Sequence, residues 1–356
     1  MHGGGAERVL ADLAVRWVRS GNAVAITTLS DATDDDYSLP AEVRRIPLGL
    51  MSESTGLVDS VRKNIRRIRT LRRVIRDVSP DCVVSFIPSM NVLTLLAAVG
   101  LPTAVIVSER VDPRHHAIGQ VWHFLRRLLY RYAAAVVVQT DNIAKVLPQF
   151  APGSRCVVIP NSAPPPAEIP PWTTRRTEII GVGRLASQKG FDRLIRAFAT
   201  IQADFPDWRL VILGEGPDRS ALQELARELD IADRVEMPGW VSDPQQQMRQ
   251  GGCFVLSSRY EGFPNALLEA MACGLPAVSF NCDSGPAEII RPGVDGLLVT
   301  VDDVPALAEG MRKLLSDETL RQSMSEHACE VSQRFGVDRI FGLWDQLVSQ
   351  VSRSPE

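Results

Sequence analysis

Two glutamates eight positions apart, Glu261 and Glu269, stand in the stretch SSRYEGFPNALLEAMACGLPAVSF, residues 257 to 280. The stretch follows an apolar run, CFVLSS, turns at Glu261-Gly262 and enters a helix near Pro264, a residue suited to a first helical turn. That spacing is about two helical turns, which predicts that both carboxylates project on one side. The N–H groups of Asn265, Ala266 and Leu267 are expected to stand free at the helix start, where they can hold a phosphate or sugar hydroxyls. A carboxylate accepts two hydrogen bonds from a vicinal diol. Two carboxylates at one helix mouth can therefore grip two sugar rings, as in a nucleotide sugar with its ribose and its hexose. The bland alternative leaves Glu261 as a turn residue and Glu269 as a solvated helix position.

A second constellation lies in EIIGVGRLASQKGFDRLIRAF, residues 178 to 198. A strand ends in Gly181-Val182-Gly183, Arg184 follows, and Lys189 precedes a helix starting near Gly190. Two cations beside a glycine turn and a helix start form a diphosphate site, each ion pair adding about 1 to 4 kcal/mol before desolvation. Both charges would also stabilise a departing nucleoside diphosphate. The same residues fit the dinucleotide fingerprint as Gly181-x-Gly183-x-x-Ala186. Two features count against that reading. Glu215, the acid after the next strand in VILGEG, lies 32 positions beyond Gly183, against about 20 in the fingerprint. A dinucleotide turn also holds its pyrophosphate by backbone groups and has no need of Arg184 and Lys189.

No metal site is expected. Asp34-Asp35-Asp36 imitates an acidic triplet, yet it sits in a polar loop without strand context. The six cysteines are scattered, with no C-x-x-C pair, and read as free thiols of a reducing compartment, the cytoplasm.

The elements that must position these residues follow from patterning. Short β-branched runs alternate with amphipathic stretches throughout, as in parallel sheets covered by helices. The runs are VAITTL, CVVSFI, TAVIVS, AAVVVQ and CVVIP in the first half, and EIIGVG, RLVILG, VEMPG, CFVLSS, PAVSF and GLLV in the second. At 356 residues the chain exceeds the size at which single cores stop growing, so two domains are expected. Between them IPNSAPPPAEIPPW carries six prolines in fourteen residues, a semi-rigid connector. The expected domains are 1–160 and 173–335, with 161–172 as linker. A last helix, about 336–356, places Ile340, Leu343, Trp344, Leu347 and Val351 on one face and is expected to dock back on the first domain. With 45% hydrophobic and 23% charged residues, and no long unbroken apolar run, no membrane span or signal peptide is expected.

Charge is uneven. Residues 1–170 hold 20 Lys/Arg against 15 Asp/Glu, and the remainder 19 against 27. Eight of the basic residues fall in VRKNIRRIRTLRRVIRD, residues 61 to 77: Arg62, Lys63, Arg66, Arg67, Arg69, Arg72, Arg73 and Arg76. Val61, Ile65, Ile68, Leu71 and Ile75 line the other face at helical spacing. Such a helix reads as a surface for anionic lipid or a lipid-linked diphosphate, or else as a solvated helix packed by its apolar stripe. HFLRRLLYRY adds Arg126, Arg127 and Arg131 as a second basic patch. Nucleic acid is not expected, because no aromatics interleave with the charges.

EGFPNALLEAMACGLP, followed by SGPAEIIRPGVDGLLV, with GVGRLASQKGFDRLI upstream and GGGAERVL at the start, resembles the retaining nucleotide-sugar glycosyltransferases of family 4. That resemblance runs nearly end to end and is strongest over residues 178–300. It implies the GT-B fold: α/β, two Rossmann-like doubly wound domains facing across a cleft, with the donor in the second and the acceptor in the first. It implies donor diphosphate binding by Arg184 and Lys189, hexose binding by Glu261 and ribose binding by Glu269. Backbone groups from Gly262, Phe263, Pro264, Asn265, Ala266 and Leu267 would touch sugar and phosphate. Gly183 and Gly214 would border the donor, and MPGW, with Pro238 and Trp240, would lie near the base. Gly4 and Gly5 would close over the diphosphate. In the family that loop follows a first strand which this sequence lacks, so the native start is expected upstream.

Many family members place a histidine after the fourth strand of the first domain. SERVDPRHH instead offers Arg110, which cannot act as a base at neutral pH, and then His115 and His116 as acceptor-side candidates. The resulting expectation is a metal-independent hexosyltransferase without a cofactor. It would move a hexose or N-acetylhexosamine from a UDP-sugar to a lipid-linked saccharide, peripherally on the inner face of an anionic membrane. Arg62, Lys63, Arg66, Arg69 and Arg73 are the candidates for the lipid diphosphate. A nucleotide-sugar epimerase or hydrolase, and a non-catalytic nucleotide-sugar-binding protein, are the alternatives.

Overall fold

β-branched runs of four or five residues, each followed by an amphipathic helix, dictate parallel strands with crossover helices. A computed structural model describes residues 5–30, 39–52, 55–165 and 168–352. They divide into two units, one built on residues 1–159 with 341–356 and one on 160–340.

In the first unit the order is α1 (Gly5–Arg19), β1 (Ala25–Thr28), β2 (Arg44–Pro47), α2 (Leu57–Val78), β3 (Cys82–Phe86) and α3 (Pro88–Ala98). Then come β4 (Ala104–Ser108), α4 (Gln120–Leu129), β5 (Ala135–Val138), α5 (Asp141–Phe150) and β6 (Cys156–Val158). Strands β3, β4, β5 and β6 pair in that order, all parallel. Leu71 and Ile75 of α2, Val92 and Leu93 of α3, and Ile143 and Leu147 of α5 are buried in one cluster with Val105, Val107, Val136 and Val138. Each such side chain contributes about 1.5 to 3 kcal/mol by leaving water.

Two features depart from expectation. Strand β2, whose sequence RRIP carries no apolar run, pairs parallel with β1, and the two form a sheet separate from the four-stranded one. Among the described residues no strand precedes α1. The amphipathic stripe of α2 also splits along its length. Leu71 and Ile75 are buried as expected, but Val61 and Ile65 are 59% and 43% exposed.

The second unit runs β7 (Glu178–Val182), α6 (Phe191–Ile201), β8 (Arg209–Leu213), α7 (Arg219–Glu228), β9 (Val235–Gly239), α8 (Pro244–Gln250) and β10 (Cys253–Leu256). It continues with α9 (Asn265–Ala272), β11 (Ala277–Phe280), α10 (Pro286–Ile289), β12 (Gly296–Val299), α11 (Val304–Ser316), α12 (Glu318–Ala328) and α13 (Val331–Arg334). Its six strands are parallel in the order β12-β11-β10-β7-β8-β9. The proline-rich segment belongs to this unit: Ala163 bridges to Gly336, and the Ser332 hydroxyl donates to the Pro164 carbonyl. The last helix, α14 (Val337–Ser352), enters the first unit, where Trp344 packs on Phe86 with ring centroids 6.1 Å apart. Trp17 Nε1 donates to Asp345 at 2.8 Å in the same unit. No helix among the described residues is long and apolar enough to cross a membrane.

Candidate active site

In the second unit, sheet order reverses between β7 and β10. Crossovers run outward on either side of that point, which is where open parallel sheets bind ligands. The loop after β7 carries Gly183, Arg184 and Lys189, and the loop after β10 carries Glu261. Lys189 and Glu261, 72 positions apart in sequence, thus meet because their strands are neighbours.

Lys189 Nζ donates to Glu261 Oε1 at 2.6 Å, with side chains 20% and 7% exposed. The Ser258 hydroxyl donates to the same oxygen at 2.6 Å. Both bonds fall on Oε1, so Oε2 is left for another donor such as a sugar hydroxyl. Arg184 is exposed on the turn after β7.

The two loops are stapled together. The Arg259 N–H donates to the Gln188 carbonyl at 2.8 Å, and Gln188 Nε2 returns to the Tyr260 carbonyl at 3.1 Å. The Ser257 hydroxyl donates to the Lys189 carbonyl, while the Arg259 guanidinium grips both Asp192 oxygens and reaches the Ser187 carbonyl. Gly190 makes this approach possible. Its φ of +62° is left-handed, and a Cβ there would overlap the Ser257 carbonyl oxygen.

Beyond Glu261 the chain turns through Gly262, Phe263 and Pro264 into α9. The N–H groups of Leu267 and Leu268 turn back to the Pro264 carbonyl, which corrects the expectation of a free Leu267 donor and leaves Asn265 and Ala266 at the helix mouth. Asn161 holds this turn, donating to the Phe263 carbonyl and to Asn265 Oδ1, and the Ser284 hydroxyl donates to the Gly262 carbonyl at 2.8 Å. Glu269 on α9 is 8% exposed and Glu261 6%, so neither is a solvated surface acid.

At the end of β8, Gly214 has a φ of +139°, and a Cβ there would overlap the Gly183 carbonyl, which draws the two loops close. Glu215 gives both oxygens to Arg219, at 2.7 Å each. That bidentate pair occupies the acid a dinucleotide fold would need for its ribose. Pro238 lies in β9, exposed, and Trp240 just beyond it is 72% exposed.

The acceptor-side candidates lie in the first unit, after β4. The Arg110 guanidinium sits 5.4 Å from the Phe86 ring centroid, and burial pulls its pKa down to about 10. The N–H groups of His115 and His116 close a turn on the Asp112 carbonyl. Burial, and after it the nearby Arg126 charge, lowers the His116 pKa. Arg126 is itself buried, 3.8 Å from Glu109, so it leaves the surface patch that the sequence suggested. On α2, Arg62, Arg66, Arg69 and Arg73 are exposed, whereas Lys63 pairs with Asp59 at 2.7 Å. Gly4, like Asp34, Asp35 and Asp36, lies outside the described residues, and Gly5 opens α1. Among the described residues no cluster of His, Cys, Asp or Glu could hold a metal.

Ser258, Arg259, Asn161 and Ser284 escaped sequence reasoning. Ser258 and Arg259 stand beside Glu261, but nothing local shows where a side chain bonds. Asn161 and Ser284 act across 102 and 22 positions.

Residues 4–162 match the family model described as glycosyl transferase 4-like domain, and residues 167–331 match glycosyl transferases group 1. An exopolysaccharide phosphotransferase of Streptomyces coelicolor is 35% identical over 79% of this chain, a match spanning only 30% of that relative's length. A Campylobacter jejuni enzyme, GalNAc-alpha-(1->4)-GalNAc-alpha-(1->3)-diNAcBac-PP-undecaprenol alpha-1,4-N-acetyl-D-galactosaminyltransferase, is 25% identical over 99% of this chain and 97% of its own. Among solved structures, sucrose-phosphate synthase from Thermosynechococcus elongatus superposes with a TM-score of 0.85 at 18% identity, covering 98% of this chain and 94% of that one. Anabaena HepE in complex with UDP and glucose does so at 0.80 and 19%, covering 99% and 96%. With nearly all of its length divided between the two glycosyltransferase models, and with this fold, the chain belongs to the GT-B glycosyltransferases.

Proposed function

We propose that this chain transfers a hexose or N-acetylhexosamine from a UDP-sugar, with retained anomeric configuration and without a metal, to a lipid-linked saccharide at a cytoplasmic membrane face. The Lys189–Glu261 pair carries the reading. It sets a cation and a carboxylate with one open oxygen side by side at the reversal point of the sheet, with exposed Arg184 on the same loop. Arg184 and Lys189 would take the charge that develops on the departing diphosphate. Glu261 Oε2 would hold a hexose hydroxyl, Glu269 the ribose, and the Asn265 and Ala266 N–H groups the phosphate or sugar. The UDP bound by the Anabaena relative supports the choice of base, and the undecaprenol-linked substrate in the Campylobacter relative's name supports the acceptor class. The exposed arginines of α2 would meet the acceptor diphosphate or anionic headgroups.

Transfer is tested by incubating the chain with UDP-, GDP- and ADP-sugars, with and without a polyprenyl-diphosphate-linked saccharide. The expected outcome is UDP-sugar consumption only with acceptor, with an α product from an α donor by NMR. Equal donor turnover without acceptor would overturn transfer in favour of hydrolysis or epimerisation.

A further inference from the structure

Exposed large apolar side chains are distributed unevenly. Ten of the twelve among the described residues belong to the first unit, and three of those follow one another along α4: Val121 at 69%, Phe124 at 65% and Leu128 at 39%. Their spacing of three and then four puts them on one stripe. Tyr132, 70% exposed, follows just past the helix end. The same spacing recurs on α2, where Val58, Val61 and Ile65 are 84%, 59% and 43% exposed. Helix α3 packs against both α2 and α4, and most of its own apolar residues are buried.

The α4 stripe is edged by charge of one sign. Arg127 and Arg131 flank Leu128, and with Phe124, Pro152 and Gly153 they line a shallow hollow of about 460 Å³. Arg127 donates to the Gln149 carbonyl, and Arg131 lies 5.3 Å from the Tyr132 ring centroid. Arg131 Nε also donates to the Leu128 carbonyl at 3.1 Å, and each guanidinium keeps further N–H donors beside the stripe. A water-facing helix has no use for a Phe and a Leu in this setting. An anionic bilayer supplies both complements, acyl chains for the stripe and headgroup phosphates for the guanidinium forks.

We infer that α4 is a membrane-docking element, seating Val121, Phe124 and Leu128 below the headgroups of an anionic bilayer while Arg127 and Arg131 bind the lipid phosphates. This rests on the membrane reading above, but it places apolar insertion on a helix other than the basic α2.

Flotation of the full chain separates the two. Three proteins are compared on phosphatidylcholine vesicles with and without phosphatidylglycerol: wild type, Val121→Ser/Phe124→Ser/Leu128→Ser, and Arg62→Gln/Arg66→Gln/Arg69→Gln/Arg73→Gln. Every altered residue is at least 39% exposed or lies on the exposed face, and thermal melts check that each variant folds. The α4 variant is expected to lose at least about tenfold in partitioning to the anionic vesicles. Phe124→Trp should add emission that shifts to the blue with those vesicles. Wild-type flotation by the α4 variant, with loss only in the α2 variant, overturns the inference and leaves the membrane reading standing. No flotation by any of the three overturns both. A fall in mass from dimer to monomer in the α4 variant, by light scattering without vesicles, would make a second copy the occupant and overturn it as well.

Discussion

Replacing Lys189 by Ala removes the cation bonded to Glu261 at 2.6 Å. The pair is neither fully buried nor solvated, with side chains 20% and 7% exposed, so the full penalty of an orphaned interior charge does not apply. The remaining Ser258 bond and the partial opening to water soften the loss. A charge-assisted hydrogen bond in such a place is worth about 1.5 to 3 kcal/mol. If the same cation steadies the departing diphosphate, that becomes a fall in kcat/KM of roughly 10- to 150-fold. Glu261→Gln keeps the shape and the Ser258 contact but loses the charge. The double variant should therefore cost less than the two singles together, with a coupling of about 1 kcal/mol or more. Initial rates over a range of UDP-sugar, with the lipid-linked saccharide saturating, give the three ratios, and melting temperatures show whether folding is intact. A Lys189→Ala rate within about twofold of wild type, or coupling under about 0.5 kcal/mol, would refute the claim that the two residues act as one site.

Gly190→Ala should both destabilise the second unit by about 1 to 3 kcal/mol and cut activity, because it strains a left-handed residue and pushes the Lys189 turn off Ser257; an unchanged melt would contradict the packing described. Trp344→Ala should cost about 3 to 5 kcal/mol in urea unfolding, since the ring is 1% exposed and packs on Phe86. Arg72→Gln should cost about 1 to 2 kcal/mol by freeing the Ala97 and Val99 carbonyls it caps, and vesicle flotation should stay as in wild type. Burial, outweighing Arg126 and the Tyr130 hydrogen bond, raises the Glu109 carboxyl. A carboxyl raised on folding favours the native state below its unfolded pKa, and that advantage is lost as pH rises through the folded value. The wild-type urea midpoint measured relative to Glu109→Gln should therefore fall from about pH 4.5 upward; a difference constant with pH would show that Glu109 carries no such linkage.

Eleven apolar runs named the strands in advance, because a parallel strand covered on both faces by helices must be continuously apolar. Strand β2 escaped for the converse reason: Arg44 and Arg45 lie in a pair of strands apart from the main sheet, where a charged sequence is tolerated. The motif around Glu261 and the glycine turn with Lys189 were legible as chemistry, since carboxylates, cations and glycines at those spacings have few other uses. The arginines of α2 were legible only in bulk. Which of them face solvent and which, like Arg67 and Arg72, bond the carbonyls of Leu50, Ala97 and Val99 depends on neighbours far along the chain.

Residue types and local period by themselves determined the alternating α/β architecture, the proline-rich boundary region and the two loops that hold the candidate site. They are read from a few consecutive residues, and local sterics and burial decide them. Tertiary structure alone decided that Lys189 bonds Glu261, that Ser258 and Arg259 hold them in place, that Arg126 turns inward and that Val121, Phe124 and Leu128 are left uncovered by the fold. Each is a matter of which surfaces are left uncovered once the sheets close, and no window of sequence contains that sum.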